Sequence, residues 1–301
     1  MRVLILGARG FVGSAVARAL AADGHQVSGL ARSAEAAQML SDAGVTPVEG
    51  DLDQLDRVAE QVGAHDATIF APTVPFEDEW RITSALVAPL VGSDRPFILT
   101  SGTAVLSHEA HDGQWNQATY AEDEPFTPPA WIALRVETEN RLRAMADQGV
   151  RAMVIRPPLI WGHGGSKQIP AIFESIEKTG DACYIGAGLN LYSNVHVDDL
   201  ADVYVRAIAR GTAGALYHAV GGEANFRSLA EAAAEAMGCG TRSVTFEEAQ
   251  EVWGERIGPL FFGVNSRSRA VRTREELGWT PRHLDVVEDV RRGSYRARYR
   301  H

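Results

Sequence analysis

Cysteine is scarce in this chain. Cys183 and Cys239 are the two present among 301 residues, and neither lies in a C-x-x-C pattern. A disulfide framework and a cysteine-built zinc site are therefore not expected. Long apolar runs are missing too. No stretch approaches the ~18–20 apolar residues that cross a bilayer, so no membrane partner is expected. An excess of positive charge is likewise absent: 29 Lys and Arg face 39 Asp and Glu, a formal net charge of −10. Nucleic acid is not an expected partner. No G-x-S-x-G occurs, which argues against an α/β-hydrolase nucleophile. His108 and His111 lie close in sequence but lack a third ligand, so no metal is expected. The first strand signal begins at residue 2, which leaves no room for a signal peptide. A cytoplasmic location is the expectation.

What is present begins at once. Arg2 to Leu6 is a short apolar run with β-branched Val3 and Ile5, the pattern of a buried parallel strand. Gly7-Ala8-Arg9-Gly10-Phe11-Val12-Gly13 follows, and Ser14 to Ala22 carries apolar residues at helical spacing. Strand, glycine turn and helix together form a dinucleotide-binding pattern. Gly7 supplies a tight turn, Gly10 admits a pyrophosphate, and Gly13 lets the helix lie close on the strand. The phosphates would sit at the helix N-terminus, where free N–H groups and the dipole favour an anion.

Gln26 to Ala31 reads as the second strand. An NAD-preferring site has an acidic residue at its end. Here the chain reads Leu30-Ala31-Arg32-Ser33. Arg32 with Ser33, and Arg9 from the glycine turn, can hold a 2′-phosphate. NADP(H) is therefore favoured, with NAD(H) as the alternative. The competing role for Ser33 is to cap the next helix.

Further strands are expected at Thr46 to Glu49, Asp66 to Ala71, Arg95 to Thr100 and Arg151 to Arg156, with helices between them. The alternation predicts an α/β fold with a doubly wound parallel sheet. Residues 1–160, with about 193–220, would form the nucleotide-binding domain. Residues 161–192 and 221–301 would form a smaller C-terminal α/β substrate lobe. One long helix is expected from Trp131 to Gln148. Asp198-Asp199 reads as capping a helix that runs to Arg210, and Ser228 as capping an alanine-rich helix. The stretch Ser107 to Pro129, with Tyr120 and Glu122-Asp123-Glu124, is a long irregular loop, either functional or solvated. Trp253, Leu260, Phe261 and Phe262 are candidates for a flat apolar pocket or for ordinary core.

These segments together resemble the extended short-chain dehydrogenase/reductases, the superfamily of sugar-nucleotide epimerases and dehydratases, whose nucleotide domain is a Rossmann fold. The matching residues are Gly7, Gly10 and Gly13, the adenine-side pair Asp51-Leu52, and Thr100-Ser101 at the end of the fifth strand. Arg156-Pro157-Pro158, Val195-His196-Val197-Asp198-Asp199 and Leu277-Gly278-Trp279-Thr280-Pro281 match as well. The resemblance implies a cofactor site built from Gly7 to Val12, Arg32, Ser33, Asp51, Leu52, Ala71-Pro72-Thr73, Thr100, Arg135 and Pro157-Pro158-Leu159. It implies a role in catalysis for Ser101, and a monomer or homodimer.

The chain departs from the family at one place. A Tyr-x-x-x-Lys pair is the family's proton donor and its support. Here Trp131 stands at the tyrosine position and Arg135 at the lysine position. Indole N–H is a donor only, and guanidinium does not give up its proton. The pattern is similar to polyketide-tailoring ketoreductases that lack this pair, which implies reduction of a small-molecule ketone. The proton would come from water, another side chain or a phenol on the substrate. Tyr120, Tyr192 and His163 are candidates by segment, and Trp131, Tyr120, Tyr192 and Phe261 are candidates to line the substrate site. A non-catalytic NADP(H) sensor and a sugar-nucleotide epimerase are the alternatives.

Overall fold

Alternating faces of one strand explain the architecture. In β1 (Arg2–Leu6), Val3 and Ile5 join one buried cluster and Leu4 and Leu6 another. A parallel strand covered on both faces must be apolar at every position. The computed structural model describes residues 1–299. Its other strands are β2 (Gln26–Ala31), β3 (Thr46–Glu49), β4 (Ala67–Phe70), β5 (Pro96–Thr100), β6 (His108–Glu109), β7 (Arg151–Arg156), β8 (Leu159–Trp161), β9 (Asp181–Ile185), β10 (Leu191–His196), β11 (Leu216–His218), β12 (Gly222–Asn225), β13 (Gly240–Val244) and β14 (Val264–Asn265).

Seven of these form one sheet in the order β11-β7-β5-β4-β1-β2-β3. All its pairings are parallel. The winding reverses between β1 and β4, and that switch opens a crevice at the carboxyl ends of the strands. Helices α1 (Phe11–Ala22), α2 (Ala34–Asp42), α3 (Leu55–Ala64), α4 (Phe76–Val87), α5 (Ala133–Arg143), α6 (Gln168–Thr179), α7 (Val197–Arg210) and α8 (Phe226–Met237) follow. α1 and α7 cover the Val3–Ile5 face, and α3, α4 and α5 cover the Leu4–Leu6 face. A separate core gathers α6, β9 and α8 around Phe173, Phe226 and Phe262.

Several expectations are corrected. The helix from Trp131 to Gln148 is three pieces: a 3-10 turn at Ala130–Ile132, then α5, then a 3-10 turn at Ala144–Gln148. Ile132 is buried with Val105 and Leu106, and this anchoring outweighs helical continuity. The cap of α7 is His196, whose Nδ1 accepts from the Asp198 N–H at 3.2 Å. Asp199 instead turns inward and accepts the N–H groups of Arg282 and His283 at 2.9 and 2.8 Å. The cap of α8 is Asn225, whose side chain accepts from the Ser228 N–H at 2.8 Å, so the helix starts before Ser228. Trp253 and Phe262 are core residues, stacked with ring centroids 4.2 Å apart. Phe261 packs half-buried against the same core.

The acidic triplet of the long loop fastens the C-terminal segment. Glu122 is buried and accepts the N–H groups of Val271, Arg272 and Thr273, each at 3.1 Å. A carboxylate there satisfies the open donors at the start of helix Val271–Leu277. Asp123 pairs with Arg143 and Arg272, and Glu124 with Arg269.

Candidate active site

The glycine turn is built as a cradle. Gly7 has φ 89°, and a Cβ there would meet Ala71 and Pro72 at 3.0 Å. That contact sets the turn directly against the end of β4. A Cβ on Gly13 would overlap the Gly7 carbonyl oxygen. Helix α1 therefore starts hard against the turn. Gly10 caps α1 without a side chain, and its own N–H is held by the Gly7 carbonyl at 2.9 Å. The N–H groups of Phe11, Val12 and Gly13 then lack intrahelical partners. Three donors at a helix start, with no side chain over them, fit a pyrophosphate.

The end of β2 gathers the expected charges. Arg32 is 74% exposed, and its Nε lies 3.9 Å from Asp51 Oδ2. Arg9 reaches over α2, with Nη2 3.2 Å from Met39 Sδ. Ser33 Oγ accepts from the Ala36 N–H at 3.1 Å, so it does cap α2. Leu52 is half-buried against the core beneath the sheet.

The ends of β5 and β7 close the other side. The Ser101 N–H donates to the Ile155 carbonyl at 2.8 Å, and the Thr103 N–H to the Pro157 carbonyl at 3.0 Å. The Pro157 carbonyl thus lies against the turn that follows Ser101. The Ser101 hydroxyl is buried and has no hydrogen-bond partner among the described residues. A buried hydroxyl without a partner costs stability unless a ligand completes it.

Two buried ion pairs hold this edge in place. Arg135 donates to Glu79 through Nη2 at 2.6 Å and Nε at 3.3 Å, and Nη2 also reaches the Thr100 carbonyl at 3.3 Å. From the opposite face of the sheet, the Tyr204 hydroxyl donates to Thr100 Oγ1 at 2.8 Å. Burial raises the pKa of Glu79, and Arg135 opposes that rise. Arg156 is buried on Glu139, with Nε 3.0 Å from Oε1 and Nη2 on Oε2. Its guanidinium lies 5.0 Å over the Phe126 ring.

Glu79, Glu139 and Tyr204 were not legible as site residues, yet a signal existed. Glu79 shares the apolar stripe of α4 with Ile82, Thr83 and Leu86. Glu139 shares the buried face of α5 with Leu142. A carboxylate on a buried stripe needs a cation.

Of the remaining candidates, Trp131 and Tyr120 both adjoin the small cluster around Ile132 and Phe76. Trp131 is 41% exposed on the 3-10 turn, tilted against Phe76 at 6.4 Å. The Tyr120 hydroxyl is 2.8 Å from His108 Nε2. Tyr192 is buried near Phe226, and burial raises its pKa. His163 pairs with Asp198 at 2.9 Å.

His218 ends β11 beside Arg156. Its Nδ1 lies 3.2 Å from the Arg269 carbonyl, and Nε2 has no partner among the described residues. Burial, then the Arg156 charge, lowers its pKa to about 3. The unfolded chain takes up this proton near pH ~6.5, but the folded one does not until about pH 3. Stability therefore rises with pH across that window and is lost on acidification. His218 alone should remove about 2 kcal/mol between pH ~7.5 and ~5. Urea unfolding of His218→Asn should show a correspondingly shallower acid limb; an unchanged limb would refute the assignment.

The family model for the NAD dependent epimerase/dehydratase family matches residues 3–220. The uncharacterized protein C2A9.02 of Schizosaccharomyces pombe is 33% identical over 307 residues, covering 98% of this chain and 100% of its own. The 2-alkyl-3-oxoalkanoate reductase of Stenotrophomonas maltophilia is 27% identical, covering 86% of this chain and 84% of its own. Among solved structures, a double mutant of dTDP-glucose 4,6-dehydratase from Streptomyces venezuelae, with NAD bound, aligns at TM-score 0.78. It is 20% identical and covers 100% of this chain and 98% of its own.

Proposed function

This chain belongs to the NAD dependent epimerase/dehydratase family, and we propose that it is an NADPH-dependent ketoreductase acting on an aromatic polyketide ketone of the angucyclinone type. The observation that carries the reading is the substitution at the proton-donor position. Trp131 and Arg135 replace a titrating pair, while the Ser101 hydroxyl is buried without a partner among the described residues. The reductase among the relatives supports a ketone as substrate.

The glycine cradle and the α1 start would hold the cofactor phosphates, with Arg9, Arg32 and Ser33 at the 2′-phosphate and Asp51 at the adenine. Ala71 to Thr73, Thr100 and Pro157 to Leu159 would flank the nicotinamide half. Bound NADPH supplies the hydride that adds to the carbonyl carbon. Ser101 donates a hydrogen bond to the carbonyl oxygen and orients it. Arg135 keeps its proton and stays on Glu79, so it acts by position and charge. The proton for the new alkoxide comes from a phenol beside the ketone on the substrate, and water then reprotonates the phenolate. Residues 1–160 with about 193–220 would form the NADP-binding domain, and 161–192 with 221–301 the lobe over the substrate.

A missing general acid costs ~10²–10⁴-fold in rate. Trp131→Phe should therefore stay within about tenfold of the parent in kcat, well short of that loss. NADPH oxidation with a hydroxylated aromatic ketone measures it. A collapse to background in a folded Trp131→Phe protein would make the indole part of the chemistry and defeat the reading.

A further inference from the structure

Three histidines face two aspartates around the start of α7, and the reaction described above uses none of them. His163 stands between Gly162 and Gly164, and all three have positive φ, at 112°, 51° and 67°. For a non-glycine residue such as His163 that conformation is unfavourable. In this conformation Nε2 stands 2.9 Å from Asp198 Oδ2. His196 Nδ1 lies 3.7 Å from the same oxygen. The donor atoms of His163, His196 and Asp198 all fall within 4.8 Å of one another.

We propose that His163, His196 and Asp198 form a binding site for a divalent transition-metal ion of the zinc class. Zinc bound to imidazole nitrogen and carboxylate oxygen spaces its tetrahedral ligand atoms about 3.3 Å apart. The two separations to Asp198 Oδ2 bracket that value. The third separation is no more than 4.8 Å, and the His163 side chain that would close it is half-exposed.

His196 is prepared as a ligand. The Asp198 N–H donates to its Nδ1, so the ring proton sits on Nε2 and the Nδ1 lone pair lies on the Asp198 side of the ring. The ring is held from several sides. A Cβ on Gly162 would overlap it, Trp161 meets it edge-on at 4.7 Å, and His283 stacks on it at 4.1 Å.

Two effects oppose a cation here: the ion takes the lone pair from the Asp198 N–H, and a helix start carries positive partial charge. The surroundings offset them. The adjoining cavity is lined by Asp23, Asp198, Asp199 and Asp202 against Arg282 and His283. Three protein ligands of mixed nitrogen and oxygen select zinc, cobalt or nickel over magnesium, with water completing the shell. The ion would also fasten one loop in place. Gly165 lies so close to Phe11 that a Cβ would overlap the ring. Residues 162–165 thus cover the first residue of α1, and a bound ion would tie that loop to α7.

The test is titration of EDTA-stripped protein with Zn²⁺ by calorimetry, and with Co²⁺ by its visible d–d absorption. The expected result is one saturable equivalent, weakened roughly ten- to hundredfold or more in His163→Gln and in Asp198→Asn. His163→Gln changes an exposed side chain, and circular dichroism checks that it stays folded. No saturable Zn²⁺ binding, or equal affinity in the parent and both folded variants, would overturn the proposal.

Discussion

Glu139→Leu lowers the stability of this protein by about 3–5 kcal/mol, the usual loss when one partner of a buried ion pair is removed. The size follows from what remains. Arg156 is 3% exposed and its pairing with Glu139 is bidentate. Nη1 is buried and has no partner among the described residues even in the parent, so none of them stands ready as a second acceptor. The Phe126 face recovers only a small part. Adding Arg156→Met to Glu139→Leu should return most of the loss, because two apolar groups of similar size need no desolvated charge. Urea unfolding of the two variants decides the matter. A loss under about 1 kcal/mol for Glu139→Leu would mean that water reaches Arg156 and that the pair behaves as a surface bridge.

Arg32→Asp should reverse the cofactor preference. Arg32 leaves the end of β2 largely in solvent, and Asp51 stands at 3.9 Å from its guanidinium. Arg9 reaches α2, which follows Arg32, from the glycine turn. One charge-assisted hydrogen bond to a phosphate contributes about 1.5–3 kcal/mol, which is about ten- to a hundredfold in affinity. The new carboxylate also repels a 2′-phosphate and can accept from ribose hydroxyls. NADPH affinity should fall by that factor while NADH affinity holds or rises. Fluorescence titration of both cofactors reads the change directly. Equal NADPH affinity in parent and variant would remove Arg32 from the phosphate site.

The fold was legible because its signals are local. The run from Arg2 to Leu6 could only be a strand covered on both faces, and the glycine spacing fixed the turn and helix after it. The chemistry of the edge was less legible because it depends on contacts far apart in sequence. Glu79 reaches Arg135 across 56 positions, and Tyr204 reaches Thr100 across 104. Nothing in the local pattern of either residue points at its partner. The caps failed for a related reason. Asp198 and Ser228 are both good capping residues, but His196 and Asn225 are placed earlier by β10 and β12, and tertiary position decided. The loop around Glu122 held two readings until the start of helix Val271–Leu277 supplied its partners.

The central proposal is that this protein reduces a ketone without the usual proton donor. The direct measurement is NADPH consumption with hydroxylated aromatic ketones, each compared with the same compound carrying a methylated neighbouring phenol. The account predicts turnover with the free phenols, a loss of about 10²–10⁴-fold on methylation, and a further loss in Ser101→Ala. Tight NADPH binding with no turnover on any ketone would contradict it and leave a cofactor-binding sensor as the better description.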